Sequence, residues 1–380
     1  MFHSRHVMFR SMAGLIAGAA VATLAAGCAT TPDAEPAYAY PAAGEDWLRV
    51  DDPRRLGYCP QCVDRATEML KDLDTTSMMI IVDGQTLLEY GDVSAISYLA
   101  SVRKSILAML YGNYVADGSI RLDATLEELD IDDHKGLTDA ERQATVRHLI
   151  TARSGVYHPA SNPGDNLADA PERGSKKPGE YYLYSNWDFN AAGAIFEQEV
   201  GVDIYDALKA DLAEPLGMQD FDRSIHVKSG DLERSMYPAY HMRLSTRDKA
   251  RIAYLMLREG RWEDEQIIPR DWVHEMTDLI TPRSEMNPES RRQREFGYGY
   301  MWWIFDEQEP GSPFDGAYMG SGAYGQYVLV IPRLNLVAVH KTDPDDGRTG
   351  RQDFLDVVRE VIGGRHEPID DEAPVIVREP

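Results

Sequence analysis

Leu99-Ala100-Ser101-Val102-Arg103-Lys104-Ser105-Ile106-Leu107-Ala108-Met109-Leu110 sets a serine and a lysine three apart at the head of an apolar run. From Ile106 to Tyr111 the residues are apolar on every side of a helical repeat, which predicts a buried helix with Ser101 at its N-cap position. A spacing of three puts Lys104 and Ser101 on one face, close enough for a proton to pass between them. A serine hydroxyl becomes a nucleophile when a base takes its proton, and a lysine can be that base once burial or a cationic neighbour lowers its pKa. The buried helix supplies the burial, and its positive end stands near a developing oxyanion. Serine and lysine also recur three apart on solvated helix faces, so the reading needs companions elsewhere in the chain.

Upstream, Ser77 to Val82, Asp83-Gly84 and Gln85 to Tyr90 form a strong hairpin signal, so two antiparallel strands precede the helix. Further back, Arg5 and Arg10 lead into the apolar stretch Gly14 to Ala26, which ends in Leu24-Ala25-Ala26-Gly27-Cys28. That pattern reads as an export signal with a lipoprotein box, in which Cys28 becomes the lipidated first residue of a periplasmic lipoprotein on a bacterial membrane. Pro32, Pro36 and Pro41 among alanines suggest a tether. Cys59 and Cys62, in Cys-Pro-Gln-Cys, lack the second pair that zinc needs and the βαβ setting of a redox motif. An exported chain favours a small local disulfide between them.

Downstream, helical spacing runs through Asp139 to Ser154, Phe189 to Val200, Ile204 to Leu216 and Ser245 to Glu259. A long loop, Tyr157 to Gly179, lies among them, of the kind that covers active sites. Strand character returns at Gly297 to Ile304, Gln326 to Ile331 and Leu334 to His340, with a turn at Pro332-Arg333, and Gln352 to Ile362 reads as a closing helix. The expected fold is α/β of the α+β type, an antiparallel sheet flanked by helices with a large helical insertion. Its expected parts are a signal at 1–27, a tether at 28–45, a sheet domain from 46–120 and 295–364, a helical domain at 121–294 and a disordered tail at 365–380.

At 380 residues, 43% hydrophobic and 27% charged, the chain can bury a sizeable core, and its formal net charge of −24 argues against nucleic acid as a partner. No H-E-x-x-H or clustered Cys/His spacing points to a metal, and no cofactor is implied. Gly320-x-Gly322-x-x-Gly325 spells a dinucleotide fingerprint, but a β-rich run follows where a helix is needed. The G-x-S-x-G elbow is absent, because Met319 stands where a glycine is required.

The companions are Tyr184-Ser185-Asn186, a Y-x-N ahead of a helix, and the glycine-rich Gly320-Ser321-Gly322-Ala323. With Ser101-x-x-Lys104 their order resembles the serine β-lactamase and penicillin-binding protein superfamily, in the branch of class C β-lactamase-related esterases and 6-aminohexanoate-dimer hydrolases. Arg147 to Gly155, Leu244 to Asp248 and Phe296 to Trp303 extend the resemblance over about Leu56 to Gly363. It implies a β-lactamase/transpeptidase-like fold and a serine hydrolase in which Ser101 is acylated, Lys104 and Tyr184 share the proton work, and Asn186 positions substrate and lysine. Backbone amides of Ser101 and Ala323 would form the oxyanion hole, on the third-motif strand of Gly320, Ser321 and Gly322.

Tyr111-Gly112-Asn113 is a rival Y-x-N, but ten helical residues put Tyr111 about 15 Å from Ser101. Tyr181 and Tyr182 read as packing residues. Lys341-Thr342-Asp343 reads as a solvated strand end. Trp187, Trp302 and Trp303 are candidates to line an acyl pocket. The basic residue usual in the third motif is missing, which favours a small ester or amide over a carboxylate-bearing β-lactam as the substrate partner. D-Ala-D-Ala peptidase or β-lactamase chemistry and a non-catalytic penicillin-recognising envelope protein stand as alternatives. The membrane enters only through Cys28, and oligomeric state is left open.

Overall fold

A computed structural model describes residues 39–366. The export segment, Cys28, most of the tether and all but two residues of the tail lie outside them.

The hairpin predicted around Asp83-Gly84 is present as β2 (Ser77–Val82) and β3 (Gln85–Gly91), with β1 (Leu48–Arg49) parallel to the outer edge of β3. The chain then leaves the sheet for about two hundred residues and returns as β4 (Phe296–Tyr298), β5 (Trp303–Phe305), β6 (Tyr318–Gly322), β7 (Gln326–Ile331) and β8 (Leu336–Lys341). Spatially the order is β1-β3-β2-β8-β7-β6-β5-β4, antiparallel except at β1. Late strand β8 pairs with early strand β2, so the sheet closes across the insertion. Every residue of β2, β7 and β8 is buried, which requires a cover on both faces.

The helices provide it. Helix α1 (Pro60–Lys71) packs with the last helix, while α2 (Val102–Ala116) lies against β6 and β7. Within the insertion stand α3 (Asn186–Val200), α4 (Thr246–Leu257) and α5 (Arg270–Thr277), and α6 (Arg351–Gly363) closes the chain. Helix α4 falls inside the stretch expected to be a helical domain, yet it packs on β8, β7 and β2. Periodicity reports that a helix has a buried face; it does not name what covers it.

Strand pleat fixes the side of each third-motif residue. Tyr318, Gly320 and Gly322 face α2 and α4: the Tyr318 hydroxyl donates to Met256 O at 3.0 Å, and a Cβ on Gly320 would stand 3.1 Å from Ser105 Oγ. Ser321 pairs across the strand with Tyr327 and faces α6, whose Phe354 stacks on the Tyr327 ring.

Other differences from the sequence reading have local causes. Asp139 to Ser154 is two short helices, because Thr145 caps a second start at Val146. The single strand expected at 297–304 is β4 and β5 folded antiparallel on each other, with Met301 in the left-handed region at the turn between them. Residues 40–45, expected in the tether, are held to the body: Tyr40 packs edge-on against Tyr254 and Trp262, and Gly44 N–H donates to Gly217 O. At the other end Arg365, placed in the tail, forms a β-bridge with Tyr58. Lys341 is no solvated strand end; it is buried and donates to Ala95 O at 2.7 Å. Cys59 and Cys62 form a disulfide at the head of α1, with Gly364 packed against it.

Candidate active site

Ala100, at φ 47°, turns the chain in the left-handed region so that Ser101 arrives at the head of α2. Ser101 occupies the N-cap position, but its hydroxyl does not cap the helix. It accepts instead a hydrogen bond from Lys104 Nζ at 2.9 Å. The same nitrogen lies 2.7 Å from the Tyr184 hydroxyl and 2.7 Å from Asn186 Oδ1. Two sequence motifs, Ser101-x-x-Lys104 and Tyr184-x-Asn186, are thereby joined at one nitrogen.

Tyr184 and Asn186 come from the start of α3, which is capped by the Ser185 side chain on Asp188 N–H. Asn186 Nδ2 donates to Pro163 O, which leaves Oδ1 as the acceptor turned to the lysine. Asp165 accepts from Asn186 N–H at 3.2 Å and Gly164 lines the cavity, so the long loop after Tyr157 forms one wall. Tyr111, the rival, is elsewhere and donates to Ala192 O. Tyr182 is buried edge-on against Tyr298, as a packing residue should be.

The electrostatics follow from burial. Lys104 is 2% exposed and has no carboxylate partner among the described residues, so desolvation holds its pKa well below 10.5 and the Arg103 guanidinium next to it lowers it further, against a weaker opposing pull from Asp165. Tyr184 is displaced the other way. Burial raises its pKa, while a hydrogen bond with Ser101 and the cations Arg103, Arg291 and Arg351 restrain the rise. A lysine pushed toward its free base beside a phenol held protonated is a base and acid pair.

Strand β6 reaches its end beside the serine. A Cβ on Gly322 would stand 2.6 Å from Leu99 O and 2.9 Å from Ser101 N, so only glycine lets the strand approach the helix head this closely. Ala323 follows and lines the same cavity as Ser101. Gly320, however, does not face this space: its α2-facing side is closed by Ser105 and Trp302.

The cavity over Ser101 has a volume of about 840 Å³. Of the three candidate tryptophans only Trp303 lines it, stacked on Tyr184 with ring centroids 5.7 Å apart. Trp302 is buried against Tyr318, and Trp187 donates to Asp133 at 2.7 Å in the core. The residue the sequence reading missed is Arg351, at the start of α6. Its Nη2 donates to Ser321 Oγ at 2.9 Å, bringing to the third-motif strand a cation that this strand itself lacks. Nothing local in the sequence marks Arg351, since thirty residues separate it from Ser321.

A family model described as β-lactamase matches residues 63–353. This chain belongs to the β-lactamase family. As a member of that family it is a serine hydrolase of the β-lactamase-related kind. Solved structures agree on the fold. A Bacillus anthracis protein assigned as a 6-aminohexanoate-dimer hydrolase superposes with a TM-score of 0.60 at 19% identity, covering 84% of this chain and 85% of its own. A hydrolase with promiscuous acyltransferase activity gives 0.58 at 17%, covering 80% and 99%. A mutant of a class C β-lactamase gives 0.57 at 15%, covering 80% and 96%. At these identities the likeness speaks for the fold alone. Among curated proteins none matches significantly.

Proposed function

We propose that this β-lactamase-family protein cleaves a small ester or amide through an acyl-enzyme on Ser101. The observation that carries the reading is the meeting of Ser101, Tyr184 and Asn186 on Lys104 Nζ, at 2.9, 2.7 and 2.7 Å. In its free-base form Lys104 presents a lone pair to the Ser101 hydroxyl and keeps its two hydrogens for Tyr184 and Asn186. Ser101 Oγ attacks the carbonyl carbon while its proton moves to Lys104; the oxyanion is held by the amides of Ser101 and Ala323. The Tyr184 phenol, hydrogen-bonded to the same nitrogen, delivers a proton to the leaving oxygen or nitrogen and recovers one from Lys104. Water then repeats the sequence on the acyl group and frees Ser101. Export and anchoring through Cys28 belong to the same proposal; Cys28→Ser is expected to move the protein from the membrane fraction to the soluble one.

The test is intact-mass spectrometry after exposure to p-nitrophenyl butyrate or to a penicillin, with nitrophenol release followed in parallel. Ester turnover with a transient acyl mass on Ser101 and no lasting penicillin adduct is expected. A stable penicillin adduct without ester turnover would overturn the reading in favour of a penicillin-recognising protein.

A further inference from the structure

The cavity over Ser101 is lined by four arginines, on two walls. Arg291 and Arg294 stand just before β4; Arg348 and Arg351 stand at the start of α6. In a chain with 63 acidic residues against 39 basic ones, arginines find carboxylates readily. Among the described residues these four make no ion pair with one. Their neighbours on the same segments do: Arg292 approaches Glu289, and Arg359 grips Glu295 with both oxygens at 2.8 Å. Glu295 is the one acidic side chain lining the cavity, so its charge is already taken by an arginine outside the lining.

What the inner two touch is neutral. Arg291 donates through Nε and Nη2 to Asn166 Oδ1 and sits 5.7 Å from the Tyr184 ring and 5.4 Å from the Trp303 ring. Arg351 lies 4.9 Å from the same Trp303 ring and 4.8 Å from Phe296. Its Nη2 reaches Ser321, but its Nη1 is buried with no partner among the described residues. Two guanidiniums crowd one indole, and each of Arg291 and Arg294 disfavours the charge on Arg351. A buried, unpaired donor and repelling like charges are costly to keep unless something anionic completes them. At the mouth Arg294 and Arg348 are exposed, with Arg348 over the Tyr324 ring at 5.7 Å.

One carboxylate has two oxygens and satisfies one guanidinium fork. Four guanidiniums from two segments exceed that need. We propose that the cavity selects esters or amides whose non-reacting part carries two carboxylates, one on the Arg348–Arg351 wall and one on the Arg291–Arg294 wall, with the connecting carbons against Trp303 and Phe296. This rests on the acyl-enzyme reading for its chemistry and adds the class of substrate. A cavity of about 840 Å³ holds a small dianionic molecule together with its scissile group.

The test uses the wild-type protein first. Hydrolysis of p-nitrophenyl butyrate is inhibited by glutarate, by butyrate and by phenyl phosphate in separate series. Glutarate is expected to compete at concentrations at least about tenfold lower than butyrate, with the advantage shrinking in high salt. Equal inhibition by glutarate and butyrate would overturn the proposal, and so would phenyl phosphate acting more strongly than glutarate, since a single phosphate seat would then be the better account. In Arg351→Gln and Arg294→Gln the ratio of glutarate to butyrate inhibition constants is expected to collapse by about tenfold; a ratio preserved in both variants would also overturn it. If no ester is hydrolysed at all, the acyl-enzyme reading fails separately. Titration calorimetry with glutarate then decides: binding weakened in both variants upholds the dicarboxylate site, and absence of binding to the wild type ends it.

Discussion

Two lysines in this chain stand three residues behind a hydroxyl. Lys104 follows Ser101 on α2, and Lys249 follows Thr246 on α4. Both are buried, both are held well below 10.5 chiefly by desolvation, and both have a second cation nearby, Arg103 for one and Lys341 for the other. Their surroundings separate them. Lys104 Nζ meets a serine, a tyrosine and an asparagine on the wall of a cavity, whereas Lys249 Nζ donates to the backbone oxygen of His340 at 2.9 Å. Thr246 has turned away to Ser77, 2.7 Å distant. Neither the spacing nor the lowered pKa makes a site; a hydroxyl left free beside open space does.

The largest expected effect tests that contrast directly. Ser101→Ala and Lys104→Ala should each lower kcat/KM for a neutral nitrophenyl ester by at least about a thousandfold, and the double variant should lose little more. Thr246→Ala should keep activity per folded molecule, with any cost appearing as lost stability from the Ser77 bond. Losses that add in the double variant, or a dead Thr246→Ala that is folded by circular dichroism, would break the distinction. Next in size is Gly322→Ala. Its methyl would meet Leu99 O and Ser101 N on backbone that cannot swing aside. A fall in kcat of about a hundredfold with KM little changed is expected. Gly320→Ala meets only side chains, Ser105 at 3.1 Å and Trp302 at 3.6 Å, and should cost far less, so equal losses at the two glycines would place the oxyanion partner elsewhere.

Much of this arrangement was legible before the fold. An all-apolar run behind Ser101 announces burial, and burial is what moves a lysine's pKa; the hairpin and the strands β7 and β8 announce themselves through turn residues and β-branched runs. Three features stayed hidden for one physical reason, that pleat and packing partner are not local. The third motif looked bare of a cation, yet alternation along β6 aims Gly320 at α2 and turns Ser321 toward Arg351. Helix α4 has the periodicity of any amphipathic helix and gives no sign that its partner is the sheet. The arginine lining draws on two segments more than fifty residues apart, and only the absence of acidic partners, visible in three dimensions, sets those arginines apart from Arg292 and Arg359.

Arg103 offers a finer test of how Lys104 is tuned. It is buried, donates to Asn190 Oδ1 at 3.0 Å and stacks over the Tyr240 ring at 4.2 Å, so it holds its place without touching the cavity. Its cation makes protonation of Lys104 harder. In Arg103→Met that repulsion is gone, the lysine pKa rises, and less free base exists at any pH on the acidic side of the profile. The rising limb of kcat/KM against pH should therefore move to higher pH, with activity at neutral pH down several-fold. A limb that stays in place would assign the depression of Lys104 to desolvation alone.

Lys249 should show the smallest effect, and in stability alone. A lysine kept uncharged in the fold binds fewer protons there than in the unfolded chain between its lowered pKa and 10.5, so its contribution to stability rises with pH across that window. Lys249→Met removes the titrating group and with it that slope. Relative to wild type, the variant should fare best near pH 7 and lose ground by pH 10, by about a few tenths of a molar in urea midpoint, while ester turnover is unchanged at both pH values. A constant difference between variant and wild type would mean that Lys249 keeps its charge inside the fold, and the two lysines would then differ in protonation as well as in what they face.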